Sequence, residues 1–317
     1  MKELDAARVA IVGGFWQPRL EMNARQSIPH HWEQLEKSGS IDNFRMLAEG
    51  KPAFREGWFF ADSDAYKWLD AAARVYALDP SEELAEQMDA FVQVLGAAQD
   101  PDGYLYTYNQ IHFPDVRWTN LQIEHELYCH GHLIEAAASH FQATSERSLL
   151  AIAEKAADLL LREFLGAGPE RTPGHQEIEI ALIRLYRVTG NTQYLSLAEQ
   201  FIEQRGRVRP FAPLIFRENQ DVGRRTEMVN ARRAQYLAEH PEHQAFQLPA
   251  GNVNKKPPGI QLRYFLSALT GKYFQQHRPV RAQTVPVGHS VRFAYLETAA
   301  AMLCRERGDD SLLPALE

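Results

Sequence analysis

From Asp62 onward the chain repeats one pattern: an apolar-periodic segment of helical length, a short polar turn, and a second such segment. The pairs fall at 62–98, 124–165, 175–204 and from 288 to the end. Within them apolar residues keep helical spacing, as at 178, 182, 185 and 186, the i, i+4, i+7, i+8 positions of an amphipathic helix. Divergent helical hairpins of about 40–50 residues admit two architectures, an open solenoid or a closed α/α toroid. Histidines separate the two. Gly131-His132, Gly174-His175 and Gly288-His289 each stand at the predicted start of an apolar helix. In a toroid the leading helix of every hairpin lines the inside and its N-terminus faces a common mouth. The Gly-His pairs then converge on one pocket, where positive helix ends meet a ligand. A solenoid gives no reason for the repetition, so an all-α toroid is expected.

The chain reads as one domain over 1–317, with an irregular N-terminal segment over 1–60, hairpins over 62–204 and 288–317, and a long connector over 206–284. One short helix is expected within the N-terminal segment, at roughly 20–37. Asp62-Ser63-Asp64 is expected to cap a helix over 65–77, because short oxygen side chains accept from the free N–H groups of a first turn. Gly103-Tyr104-Leu105-Tyr106-Thr107-Tyr108 carries a tyrosine at every second position, which suits either a short strand or a loop over the pocket rim. The connector holds Arg224-Arg225, Arg232-Arg233 and Lys255-Lys256-Pro257-Pro258, with a short helix expected near 227–238. A structureless stretch of that length inside a compact domain is improbable, so local structure is expected there.

A formal charge of −7 with no basic run excludes nucleic acid and anionic membranes as expected partners and favours a neutral polar ligand. Met1-Lys2-Glu3-Leu4-Asp5 carries acids where a secretory leader is basic, and no run approaches the ~18 apolar residues that span a bilayer, so a cytoplasmic location is expected. Cys129 and Cys304 lie far apart without CxxC spacing, which reads as two buried small side chains.

Three groups of side chains carry candidate chemistry. His132, His175 and His289 read either as separate helix caps or, because they repeat, as the lining of one pocket. A three-histidine metal site is a weaker reading, since no pair has the His-x3-His spacing of one helical face. Glu124-His125-Glu126 reads as a solvated first turn or as a polar clamp for sugar hydroxyls, and Glu177 and Glu179 as general acids or structural carboxyls. Trp58, Phe59 and Phe60 either staple their loop to the core or offer a stacking platform for a sugar.

These residues resemble a known family. Gly14-Phe15-Trp16-Gln17-Pro18-Arg19-Leu20, Ile28-Pro29-His30, Gly39-Ser40-Ile41-Asp42-Asn43-Phe44, Asp62-Ser63-Asp64-Ala65-Tyr66-Lys67-Trp68-Leu69, Asp102-Gly103-Tyr104-Leu105 and His125-Glu126-Leu127-Tyr128 resemble, in order, segments of the β-L-arabinofuranosidase-type glycoside hydrolases of family 127. So do Gly131-His132-Leu133-Ile134-Glu135-Ala136, Gly174-His175-Gln176-Glu177-Ile178-Glu179, Pro279-Val280-Arg281 and Val287-Gly288-His289. The resemblance implies the N-terminal part of an (α/α)6 barrel catalytic domain, incomplete in this chain, acting on terminal β-L-arabinofuranose with retention. It implies a cysteine nucleophile held on zinc by a glutamate and further cysteines, with a separate acid/base glutamate, in segments that this sequence does not contain. Neither Cys129 nor Cys304 matches those positions.

What carries over is the sugar-binding part: His132, His175 and His289 match pocket histidines, Trp58 and Phe59 lie where pocket aromatics are expected, and Asp64 opens the first inner helix. One departure is His31, where the family commonly has glutamine. Three readings follow: a glycoside hydrolase represented by its N-terminal portion, a non-catalytic carbohydrate-binding or interaction protein, and another α/α-barrel sugar enzyme such as a uronyl hydrolase or an epimerase. The first makes an L-arabinofuranosyl oligosaccharide or glycoconjugate the expected partner and leaves the catalytic residues unassigned. It also predicts binding without turnover, no stoichiometric zinc or other cofactor, and self-association through apolar edges.

Overall fold

A computed structural model describes residues 9–243 and 258–316; Met1-Lys2-Glu3-Leu4-Asp5 and Lys255-Lys256-Pro257 lie outside the described residues. The all-α expectation holds, with no strand among the described residues. Helix α1 (Gln17–Met22) runs through a π-turn into α2 (Ile28–Lys37), and α3 (Ser40–Glu49) follows at once. Then come α4 (Asp62–Leu78) with α5 (Glu82–Ala98), and the short α6 (Thr107–His112). Next are α7 (Glu126–Thr144) with α8 (Ser148–Phe164) and α9 (Ile178–Thr189) with α10 (Thr192–Gln204). The chain continues through α11 (Ala212–Glu239), α12 (Pro258–Leu269), α13 (Ser290–Arg307) and α14 (Leu313–Leu316).

The helices stand in two concentric rows. Along the inner row α2 packs on α4, α4 on α7, α7 on α9 and α9 on α13; along the outer row α3 packs on α5, α5 on α8 and α8 on α10. Each outer helix also backs its own inner partner, and one apolar cluster runs between the rows. The sequence explains the sorting. Helix α7 is buried on nearly every face, polar residues included, and its run Ala136-Ala137-Ala138 lets α4 and α9 approach closely. Helix α5 has the polar face of an outer helix, and Ser81 caps it by accepting from Leu84 N–H at 3.3 Å.

Four expectations need correction. The helix expected at roughly 20–37 forms, as α1 to α2, but the N-terminal segment is more regular than that: α3 pairs with α2, turned at Gly39 (φ 75°), and the pair is seated on α4 and α5. Helix α4 begins at Asp62 rather than 65, and no side chain caps it, because Asp62 turns inward to Arg55 at 3.1 Å, both side chains fully buried. Tyr104, Tyr106 and Tyr108 form no alternating face: all three are buried, and α6 starts between the last two. The connector holds a helix of 28 residues, far longer than expected, pinned from its polar side. There Glu218 Oε2 accepts from Gln122 N–H at 2.6 Å, Arg225 meets Glu124 at 2.6 Å and donates to Thr119 Oγ1 at 2.7 Å, and Arg232 donates to His112 O at 2.6 Å.

Candidate functional site

His132, His175 and His289 come together, although only two of them mark helix starts. His289 is the N-cap of α13, and His175 lies in the turn just before α9. His132 instead sits inside α7, which begins at Glu126, about 9 Å further down the helix axis at 1.5 Å per residue. The helix starts early because Glu126 is held there: its buried carboxylate accepts from Tyr104 OH and from Trp118 N–H at 2.8 Å. His132 and His175 are buried, and His289 is partly exposed.

Tyr128 joins the group, its ring centroid 4.4 Å from those of both His132 and His175. His175 lies 5.9 Å from His289 and 5.0 Å from His125, and Tyr295 of α13 closes the ring at 6.3 Å from His132 and 5.9 Å from His175. The repeated glycine has a packing cause. A Cβ on Gly131 would lie 2.7 Å from Glu177 Cγ, one on Gly174 2.0 Å from Gln122 O, and one on Gly288 2.2 Å from Lys272 O. Each glycine admits a neighbouring segment at backbone distance and leaves the next histidine at the seam.

Burial keeps these imidazoles neutral, depressing His125 to about 3 and His175 to about 2, and lowering His132 and His289 in the same direction. A neutral imidazole has one donor and one acceptor nitrogen, and the backbone partners fix which is which. His125 Nδ1 donates to Ile123 O and His175 Nδ1 to Gln176 O, both at 2.9 Å, leaving each Nε2 an acceptor. His289 Nδ1 accepts from Arg292 N–H at 3.5 Å, leaving its Nε2 a donor. His132 Nε2 is buried without a hydrogen-bond partner among the described residues. Mixed donors and acceptors on neutral rings suit hydroxyl groups, each of which both gives and takes a hydrogen bond.

Of the two candidate acids only Glu177 faces this pocket. Its Oε1 lies 3.5 Å from His132 Nδ1, and burial, reinforced by nearby Glu135, raises its carboxyl well above the ordinary range. Glu179 is structural: it pairs with the equally buried Arg205 at 3.0 Å and accepts from Glu177 N–H at 3.1 Å. Glu124-His125-Glu126 is not a solvated first turn, since both carboxyls are buried. Glu124 binds Arg225, Glu126 anchors α7, and only His125 reaches the pocket.

Phe59 reaches the histidine cluster through His125, at 5.1 Å between ring centroids, whereas Trp58 stands at the rim with 57% of its surface exposed. Asp64 does not join the histidines. Its side chain faces an adjoining groove beside Lys67, 3.6 Å away, and the Lys67 ammonium lies 5.0 Å from the Tyr128 ring centroid. Sequence reasoning missed Tyr128, Tyr295, Lys67 and Glu135. The i, i+4 spacing of Tyr128 to His132, which puts both on one face of α7, was the available signal.

The thiolate zinc site that the resemblance implies does not fit these residues. Cys129 is fully buried, with burial raising its thiol far above the ordinary range, and Cys304 lies near the opposite end of α13 from His289. His132, Glu135 and Glu177 do bring three donor atoms within 4.8 Å of one another. One of the three, Glu135, is already paired with Arg184 at 2.7 Å.

Residues 8–317 match the family model for the β-L-arabinofuranosidase GH127 catalytic domain. The chain belongs to glycoside hydrolase family 127. A curated GH127 relative, the non-reducing end β-L-arabinofuranosidase of Bifidobacterium longum subsp. longum, is 32% identical over 96% of this chain and 44% of its own length. Among solved GH127 structures, a β-L-arabinofuranosidase from Geobacillus stearothermophilus T6 superposes with a TM-score of 0.78 at 36% identity, covering 98% of this chain and 44% of its own. A second GH127 β-arabinofuranosidase gives 0.73 at 29% identity, covering 98% and 42%. The chain thus spans less than half the length of the relatives it matches. No helix among the described residues is long and apolar enough to cross a membrane.

Proposed function

We propose that this chain supplies the sugar-holding part of a GH127 catalytic domain and binds a terminal β-L-arabinofuranosyl residue of an oligosaccharide or glycoconjugate. The observation that carries the reading is the convergence of His132, His175 and His289 on one pocket of neutral imidazoles, with Tyr128, Tyr295 and the carboxyl of Glu177 beside them. The imidazoles orient the sugar by its hydroxyls; Phe59 walls the approach and Trp58 the rim. Asp64 and Lys67 mark the side on which the linked group leaves.

Retaining hydrolysis needs a nucleophile and a proton donor flanking the scissile bond. Glu177 lies on one wall, and neither cysteine of the chain opens into the pocket, so these 317 residues bind without turning over. Titration with methyl β-L-arabinofuranoside, followed by an aryl β-L-arabinofuranoside assay, tests both halves of the reading. Saturable binding lost in His175→Ala, with no phenol released above background, is expected. Turnover by the pure chain that Glu177→Gln abolishes would instead put the catalytic acid in this chain.

A further inference from the structure

A groove of about 1000 Å³ opens beside the histidine pocket. Its walls are α2 with His31 and Gln34, α4 with Asp64 and Lys67, the loop bearing Trp58, and α11 with Val229, Asn230 and Arg233. The loop is held stiffly. Arg55 donates to Gly57 O and Trp58 O at 2.8 Å each and pairs with Asp62, while Asn43 exchanges two hydrogen bonds with the Glu56 backbone at 2.9 and 3.0 Å. A largely exposed tryptophan is therefore presented on a loop fixed from beneath by a fully buried ion pair. Exposed indole on a preorganised backbone loses little entropy when it stacks on a ligand. Across the groove, α11 is fixed by Arg233, which meets Glu56 at 3.1 Å. Gln34 and Asn230, both exposed, bring amides to the two sides.

The groove adjoins the histidine cluster. Phe59 and Phe60 line it and also lie 5.1 and 5.4 Å from His125, and Lys67 lines it while reaching over Tyr128. We propose that the groove is a second saccharide subsite, which takes the sugar ring to which the terminal residue is linked, with one apolar ring face on Trp58 and hydroxyls on Gln34, Asn230 and Arg233. This rests on the histidine pocket being the terminal sugar's site. It makes α11 a determinant of substrate length rather than a connector.

The test compares two ligands on the 317-residue chain: methyl β-L-arabinofuranoside, which fills only the histidine pocket, and a disaccharide ending in β-L-arabinofuranose. Two to three extra hydrogen bonds and a stacked ring predict that the disaccharide binds about tenfold or more tightly. Asn230→Trp, a bulky replacement at an exposed position, should cancel that gain and leave the methyl glycoside's Kd unchanged. Gln34→Ala should reduce the gain about two- to tenfold. Equal Kd values for the two ligands, or equal weakening of both by Asn230→Trp and Gln34→Ala, overturns the subsite. If the methyl glycoside does not bind while the disaccharide does and Asn230→Trp abolishes it, the histidine-pocket reading fails and the groove stands as a sugar site in its own right. Binding of neither ligand refutes both.

Discussion

Asp62→Asn is a sharp test of how the Trp58 loop is built. Arg55 and Asp62 are paired at 3.1 Å with both side chains at 0% exposure, and Asp62 also accepts from Thr107 N–H and Thr107 Oγ1 at 2.6 Å each. The amide of asparagine removes the negative charge and aims two donors at groups that donate already. Arg55 is left as an uncompensated buried cation. Breaking a buried pair from one side costs about 3–5 kcal/mol. At about 2 °C per kcal/mol for a chain of this size, Tm should fall by roughly 6–10 °C. Calorimetry on wild type, Asp62→Asn and the double variant Arg55→Met/Asp62→Leu reads this directly. The double variant should recover much of the loss, because it buries no charge. A Tm for Asp62→Asn within about 2 °C of wild type, or a double variant less stable than the single, would falsify the assignment of this pair as the loop's anchor.

Other expected outcomes follow from the same geometry. Stability should peak in mildly acidic solution, between about pH 5 and 6.5. Histidines depressed to about 3 and about 2 contribute stability that is present above their ordinary value and lost as pH falls, and the raised carboxyls of Glu126 and Glu218, both at about 7, contribute stability lost as pH rises; a Tm that climbs steadily to pH 9 would contradict this. Arg225→Ala removes the partner of buried Glu124 and should lower stability by about 3–5 kcal/mol in urea denaturation, whereas Arg224→Ala, on an exposed side chain, should stay within about 0.5 kcal/mol. Helix α12 exposes Ile260, Leu262 and Phe265, so the chain should self-associate at micromolar concentration in sedimentation, and Leu262→Glu with Phe265→Glu should restore monomers. No change in sedimentation on that double substitution would exclude α12 as the associating surface.

The hairpins were legible because their buried faces are apolar and keep helical spacing, and the histidines because each follows a glycine. What stayed hidden was held by polar contacts between distant positions. Asp62 has the composition of a cap, and nothing local reveals that Arg55 turns it inward. The part of α11 before the helix expected near 227–238 escaped because the residues it buries, Ile215, Glu218 and Arg225, are mostly charged, so no hydrophobic stripe announces it. Helix α3 is short, with its buried apolar residues limited to Ile41 and Phe44. Sequence spacing puts His132 at a helix start because the buried anchor that begins α7 earlier, Glu126 on Tyr104 and Trp118, reads in sequence as an ordinary acidic first turn.

The strapping of α11 also has a consequence in time. Each helical hairpin closes through contacts a few tens of residues apart, but Arg225 meets Glu124 across 101 positions and Arg233 meets Glu56 across 177. Loop closure over such spans is entropically late, and local hairpins precede it. As the chain leaves the ribosome, the stack from α2 to α10 can assemble while residues 212–239 are still being made, so His132 and His175 stand in place before the groove has its second wall. The groove beside the histidines is thus completed only after the stack that flanks it, and a chain arrested before α11 would lack its second wall.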